Sequence, residues 1–226
     1  MIALCVCVAA LAVLLSRHFS PHIYDVVIVQ MTSLWYKEVL ARCAPGQRIL
    51  DIGVGTGTSL CANAQTIKEK GLHVTGIDID KTYVSFCRES LDRCGLKGQC
   101  DVHCVSVYAE DVAVTVGSGF DCVYFSGSIA LMPDPQQALR IAAGLLNKKS
   151  GLIYVTQTFQ RKSIPLLGIL KPMLYYLTTI DFGRLTYEHE VDAIVAGAGL
   201  KVLEKSVIRG SVDNPFQAAF LLVISP

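Results

Sequence analysis

At 226 residues the chain has room for one α/β domain with a full hydrophobic core and is too short for two. Hydrophobic residues make up 52% of it and charged residues 17%, with a formal net charge of +1. So neutral a balance, without a basic stripe interleaved with aromatics, excludes a nucleic-acid-binding role, and the surplus of apolar residues needs a location. Part of it lies at the start, where Met1 to Leu15 carries no charged residue and Arg17 and His18 follow. As a helix this run covers about 22 Å against a hydrocarbon core of about 30 Å, and extension to Phe19 with Arg17 snorkelling brings it near the minimum. The expectation is a hydrophobic membrane anchor over residues 1–20, single-pass or monotopic, ahead of one domain over residues 21–226. A signal peptide fits less well, because no basic residue precedes the run and no small-x-small site follows it; a shallow or mitochondrial targeting element stays open. Arg17, Lys37 and Arg42 lie on the C-terminal side of the run, which by the positive-inside rule turns the domain toward the cytosol.

Ile23 to Cys43 reads as a helix with one apolar face, ended by Pro45-Gly46. Strands near 47–52, 72–78, 101–107, 120–126 and 151–159 then alternate with helices near 57–70, 81–95 and 134–147. A helix around Glu188 to Ala196 and two closing strands, Leu200 to Ile208 and Phe216 to Ser225, complete the chain. Such alternation predicts an α/β fold whose parallel sheet is covered by helices on both faces, with the last two strands added as a hairpin at one edge.

The chemistry is concentrated in Asp51-Ile-Gly-Val-Gly-Thr-Gly57, between the first strand and the following helix. Gly53, Gly55 and Gly57 let the backbone bend sharply and approach a ligand at a helix N-terminus. The spacing is not that of a dinucleotide turn, since the sixth position from Gly53 is Thr58, and Asp51 would repel a pyrophosphate. An acidic, glycine-rich cradle suits a ligand with cationic centres, such as the amino and sulfonium groups of S-adenosylmethionine. His73-Val-Thr-Gly-Ile-Asp78 reads as a second strand that ends in a carboxylate, where nucleotide folds place an acid on the ribose hydroxyls, with Ile79 beside it.

These two segments resemble the first two motifs of class I S-adenosylmethionine-dependent methyltransferases, and the resemblance runs from about residue 23 to the C-terminus. It implies a seven-stranded, mostly parallel, doubly wound Rossmann-like sheet, here preceded by the N-terminal hydrophobic helix, and S-adenosylmethionine as cofactor. Ala109-Glu110-Asp111 stands where the family has its adenine-proximal loop, and Phe120 to Gly127, with Ser126 near its end, resembles the fourth strand and the loop beneath the methionine moiety. Two departures matter. Tyr108 replaces an aspartate that contacts the adenine amino group in many relatives, which leaves that contact to Glu110, Asp111 or backbone. Lys148-Lys149-Ser150 ahead of Gly151 replaces a preset Pro-Gly turn.

Residues 161–180 are strongly apolar, broken by Pro165 and Pro172 and punctuated by Arg161, Lys162 and Lys171. They suit an interfacial element with basic groups toward lipid, an apolar lid, or a buried core helix. Together with the N-terminal run, they point to a lipophilic acceptor: a quinone precursor, sterol, phospholipid headgroup or thiol. For a base that deprotonates the acceptor, His189 between Glu188 and Glu190 is one candidate, although a solvated helix face also explains the triplet. Tyr24-Asp25 resembles a pair that caps the cofactor in quinone-type and sterol-type relatives, which makes Tyr24 a second candidate. The nine cysteines show no zinc-type C-x-x-C pair and read as free thiols; no metal is expected. A protein methyltransferase acting on a membrane partner and a non-catalytic subunit of the same fold are the alternatives. The second sits badly with an intact glycine turn and Asp78.

Overall fold

The computed structural model describes residues 29–162 and 187–226. Its strands are β1 (Arg48–Ile52), β2 (His73–Asp78), β3 (Cys100–Cys104), β4 (Cys122–Ser126), β5 (Leu152–Gln160), β6 (Lys201–Val207) and β7 (Gln217–Ser225). They form one seven-stranded sheet of order β3-β2-β1-β4-β5-β7-β6. The helices are α1 (Gln30–Arg42), α2 (Thr58–Cys61), α3 (Ala64–Lys70), α4 (Lys81–Arg93), α5 (Val112–Val116), α6 (Pro135–Leu145) and α7 (Glu188–Gly197), with a 3-10 turn at Ile129–Leu131.

Strands buried on both faces have to be apolar at nearly every position, and β1 and β4 are buried along almost their whole length. Their alternating side chains feed two separate cores. Leu50, Ile52, Val123, Phe125 and Val155 pack toward Leu139 of α6 and Val191 of α7. Ile49, Cys122, Tyr124 and Tyr154 pack toward Trp35 and Leu40 of α1 and Val84 and Cys87 of α4. Local chemistry sets the helix starts. Asp80 accepts from the Thr82 and Tyr83 N–H groups ahead of α4, and Asp134 accepts from Gln137 N ahead of α6, whose first residue is Pro135. At the other end of α1, Lys70 Nζ donates to the carbonyls of Leu40, Ala41 and Cys43, each at 2.8 Å. Where Pro-Gly is missing before β5, the Asn147 side chain accepts from Lys149 N and the Asn147 carbonyl from Gly151 N, which rebuilds the turn.

β1 through β5 pair in parallel, but β7 runs antiparallel to both β5 and β6. The sheet is therefore mixed, where the sequence suggests a mostly parallel one, and β7 lies inside it with β6 at the edge. The helix expected over 57–70 is broken at Ala62–Asn63 into α2 and α3, because Asn63 turns its amide onto the carbonyls of Ser33 and Ser59. α5 is an element the sequence reading lacked.

Residues 1–20, expected as a hydrophobic helix, Tyr24 and most of 161–180 lie outside the described residues. The placement as a single-pass or monotopic membrane protein with a cytosolic domain is corrected: among the described residues no helix is long and apolar enough to cross a membrane.

Candidate cofactor site

The strand order reverses beside β1, whose neighbours are β2 on one side and β4 on the other. Ligands of open α/β sheets lie at the carboxyl ends of the strands at such a switch point. The glycine turn leaves β1 there and is fastened to the end of β2, with the N–H groups of Gly53 and Val54 both bonded to the Ile77 carbonyl, at 2.8 and 3.1 Å.

The three glycines do different work. All have positive φ, at +82° for Gly53, +59° for Gly55 and +69° for Gly57. A Cβ on Gly53 would come 2.5 Å from Ser128 Cβ, and one on Gly57 would come 2.6 Å from Cys87 Sγ, so these two glycines permit close packing of the turn against the β4 loop and α4. A Cβ on Gly55 would meet nothing within 4 Å. Gly55 thus fronts open space, as a backbone approached by a ligand requires.

Two carboxylates stand at this end of β1 and β2. Asp78 is half-buried, and its oxygens accept from Gly55 N and from Asp80 N, both at 3.0 Å. Each oxygen keeps a further lone pair for a ligand hydroxyl. Asp51 is fully buried; its Oδ2 accepts a 2.5 Å hydrogen bond from the Tyr36 hydroxyl, while Oδ1 has no hydrogen-bond partner among the described residues. Burial pushes the Asp51 carboxyl up to about 7, opposed by the Tyr36 bond and reinforced by the charge of Asp78. A buried carboxyl with one oxygen unmatched is completed by a cationic ligand group, and a vicinal diol completes Asp78. The amino group and ribose of an adenosyl amino acid supply both, so the residues present fit that cofactor.

The other sequence-derived residues fall around this centre. Ile79 is exposed just past Asp78, with 76% of its surface accessible. Glu110 and Asp111 are exposed in the loop after β3. Tyr108 holds that loop, its hydroxyl donating to the Asp134 carbonyl at 2.9 Å and accepting from Asp134 N at 3.2 Å. It therefore braces the backbone of the loop after β3. Ser126 closes β4, opposite Thr156 of β5. His189 is exposed on the first turn of α7 with its ring stacked on Tyr187. Its flanking acids have structural partners: Glu190 accepts from Tyr187 N, and Glu188 pairs with Lys205 at 3.2 Å. Tyr187 bridges to Gln160, which brings the start of α7 to the carboxyl end of β5.

Two contributors escaped the sequence reading. Tyr36 reaches Asp51 from α1 and meets Tyr124 edge to face at 5.0 Å, while the Tyr124 hydroxyl is 2.8 Å from Thr156 Oγ1. A buried tyrosine requires a partner for its hydroxyl, and that was the available signal. Ser128 supplies the wall against Gly53 and donates to the Ile52 carbonyl, which ties the β4 loop to the end of β1.

Comparison with known proteins agrees with this geometry. The family model of a methyltransferase domain matches residues 44–169. A ubiquinone biosynthesis O-methyltransferase of Bordetella avium is 30% identical over 190 residues, covering 83% of this chain and 74% of the relative. A phosphatidylethanolamine N-methyltransferase of Cereibacter sphaeroides is 24% identical over 163 residues, covering 72% and 74%. Among solved structures, an S-adenosylmethionine-dependent methyltransferase of Thiobacillus denitrificans in complex with S-adenosyl-L-homocysteine superposes with a TM-score of 0.59 at 16% identity, covering 85% of this chain and 90% of that one. The glycine turn, the paired carboxylates and these matches make the chain a member of the class I S-adenosylmethionine-dependent methyltransferases, an enzyme that takes S-adenosylmethionine as its cofactor.

Proposed function

We propose that the enzyme methylates a lipophilic small molecule of quinone-precursor or phospholipid-headgroup type, within a methyltransferase domain spanning residues 21–226. The observation that carries this reading is the match to a ubiquinone biosynthesis O-methyltransferase over most of both chains; the phosphatidylethanolamine N-methyltransferase supports the wider lipid class. In this reading Asp51 holds the cofactor's amino group, Gly53, Gly55 and Gly57 form the cradle, Asp78 takes the ribose hydroxyls with Ile79 against the adenine, Glu110 and Asp111 border the adenine, and Ser126 lies under the methionine portion.

When bound, S-adenosylmethionine would supply an electrophilic sulfonium methyl group, transferred in line to the acceptor with the thioether as leaving group. The chain's own task is to align the acceptor, exclude water and take up the acceptor's proton where there is one. Among the described residues the base assigned is His189, on the strength of the Tyr187–Gln160 bridge that seats α7 at the end of β5. Tyr24 is assigned to the cap over the cofactor.

The test is transfer of isotope-labelled methyl from S-adenosylmethionine to a panel comprising a catechol-type prenylated quinone precursor, phosphatidylethanolamine vesicles, an alkyl thiol and a histone-derived peptide. Label in either of the first two supports the proposal. Label confined to the thiol or the peptide, or S-adenosylhomocysteine binding without transfer to any of the four, overturns it.

A further inference from the structure

We propose that Cys61 and Cys94 are a reversible redox cross-linking site that fastens α2 to the C-terminal end of α4 beneath the cofactor turn. Cys94 Sγ lies 2.7 Å from Cys61 Sγ, across 33 positions of sequence. That is far closer than two sulfurs pack without a specific interaction and only somewhat longer than the about 2.05 Å of a covalent S–S bond. Both residues are half-buried, so a small oxidant has access to them.

The neighbouring thiols are excluded by their surroundings. Cys87 and Cys100 are buried, which shields both from an oxidant in solution. Cys43 and Cys122 are near one another, but both are buried. Cys104 is exposed, and its thiol faces the Ile79 carbonyl. The close, accessible pair is therefore Cys61 and Cys94.

The oxidant is a small-molecule disulfide. One thiol of the pair gives up its proton, and its thiolate displaces one small thiolate and forms a mixed disulfide. The other then gives up its proton and displaces the second small thiol. Two protein thiols and one small disulfide become one protein disulfide and two small thiols, which balances atoms and electrons. Excess small thiol reverses the exchange.

The position gives the cross-link a structural consequence. Cys61 N donates to the Gly57 carbonyl at 2.9 Å, and Gly57 rests against Cys87 of α4. A bond between Cys61 and Cys94 thus joins the two helices that hold the last glycine of the turn. It closes a long loop, which restricts the unfolded chain, and the small contraction of the sulfur separation leaves the turn in place.

In the experiment, the full chain is reduced, incubated with oxidised glutathione, alkylated and mapped by peptide mass spectrometry. A Cys61–Cys94 linked peptide as the dominant protein disulfide is expected, absent in C61S and in C94S and lost on adding dithiothreitol. The cross-linked protein should bind S-adenosylhomocysteine within about threefold of the reduced protein, and its thermal midpoint should rise by several degrees. Separate glutathionylation of the two cysteines, predominance of another pair, or a midpoint below that of the reduced protein overturns the proposal.

Discussion

The Tyr36 hydroxyl lies 2.5 Å from Asp51 Oδ2, so a helix upstream of the first strand donates the hydrogen bond that holds the most buried acid of the cofactor site. The bond lowers the Asp51 pKa against the larger effect of burial. Tyr36→Phe should raise it further and cost about 1–3 kcal/mol of stability, as loss of a hydrogen bond to a buried charged or polar group does. At pH 7 the affinity for S-adenosylhomocysteine should fall about tenfold, read by calorimetric titration. An unchanged affinity would detach Tyr36 from the site.

The same acid sets a pH dependence. Its ordinary value is 3.8 and its value in the fold is about 7, so within that window the native state keeps a proton that the unfolded chain has lost. Cofactor-free stability should therefore decline as pH rises from about 4 to about 7 and level off above. Binding should run the other way, since a cationic amino group favours the ionised acid: affinity should rise by up to roughly tenfold per pH unit below 7 and then flatten. Thermal midpoints and titrations at several pH values, compared with Asp51→Asn, check both slopes; the variant should lose both.

Gly55 and Gly57 should respond to substitution in opposite ways. Gly55→Val meets open space, so the protein should fold with a backbone cost of about 1–2 kcal/mol for the left-handed conformation, yet it should lose cofactor binding. Gly57→Ala drives a methyl into Cys87 Sγ and should lower stability by more. Adding Cys87→Ala should recover part of that loss, a non-additivity expected of groups in contact. Denaturant unfolding of the two single variants and the double variant provides the cycle.

Asp78 holds the turn and faces the ligand at once. Asp78→Asn keeps one oxygen to accept from Gly55 N or Asp80 N but places a donor where the other carboxylate oxygen accepts. We expect a tenfold to hundredfold weaker affinity for S-adenosylhomocysteine and a smaller effect on 2′,3′-dideoxy analogues that lack the ribose diol, with a loss of only about 1 kcal/mol in stability. Equal losses for both ligand types would remove the ribose assignment.

Lys70 offers a prediction away from the chemistry. Its ammonium satisfies three carbonyls at the end of α1, the helix that delivers Tyr36. Lys70→Met keeps most of the aliphatic length and should destabilise the protein by about 1–3 kcal/mol, measured by chemical denaturation. Cofactor affinity should weaken less than in Tyr36→Phe, because α1 remains packed through Trp35, Val39 and Leu40.

The strands were legible because buried parallel strands are apolar at successive positions, and the glycine turn with Asp78 was legible because only a few ligands suit an acid beside three glycines. Val112-Ala-Val-Thr-Val116 was not read as helix, since β-branched residues favour extended chain, and packing of Val112 and Val116 against one core decides otherwise. Which closing strand is internal was not read, although composition carries it: Ala218 to Ile224 is uncharged throughout, whereas β6 carries Lys201, Glu204 and Lys205. Tyr36 stayed hidden because periodicity shows that a helix face is buried but not which polar atom waits opposite it. Glu188 and Glu190 looked like solvent-facing acids until their ties to Lys205 and Tyr187 were seen.

The last strand of the chain is not the last strand of the sheet. Because β7 sits between β5 and β6, the free edge of β5 stays uncovered during synthesis until residues 217–225 emerge, and β6 has no strand neighbour before then. Pairing over long sequence separations is slow, and an open edge invites association with other chains. Loss of β7 would therefore open the sheet in its interior, well inside the boundary that β6 forms in the finished molecule.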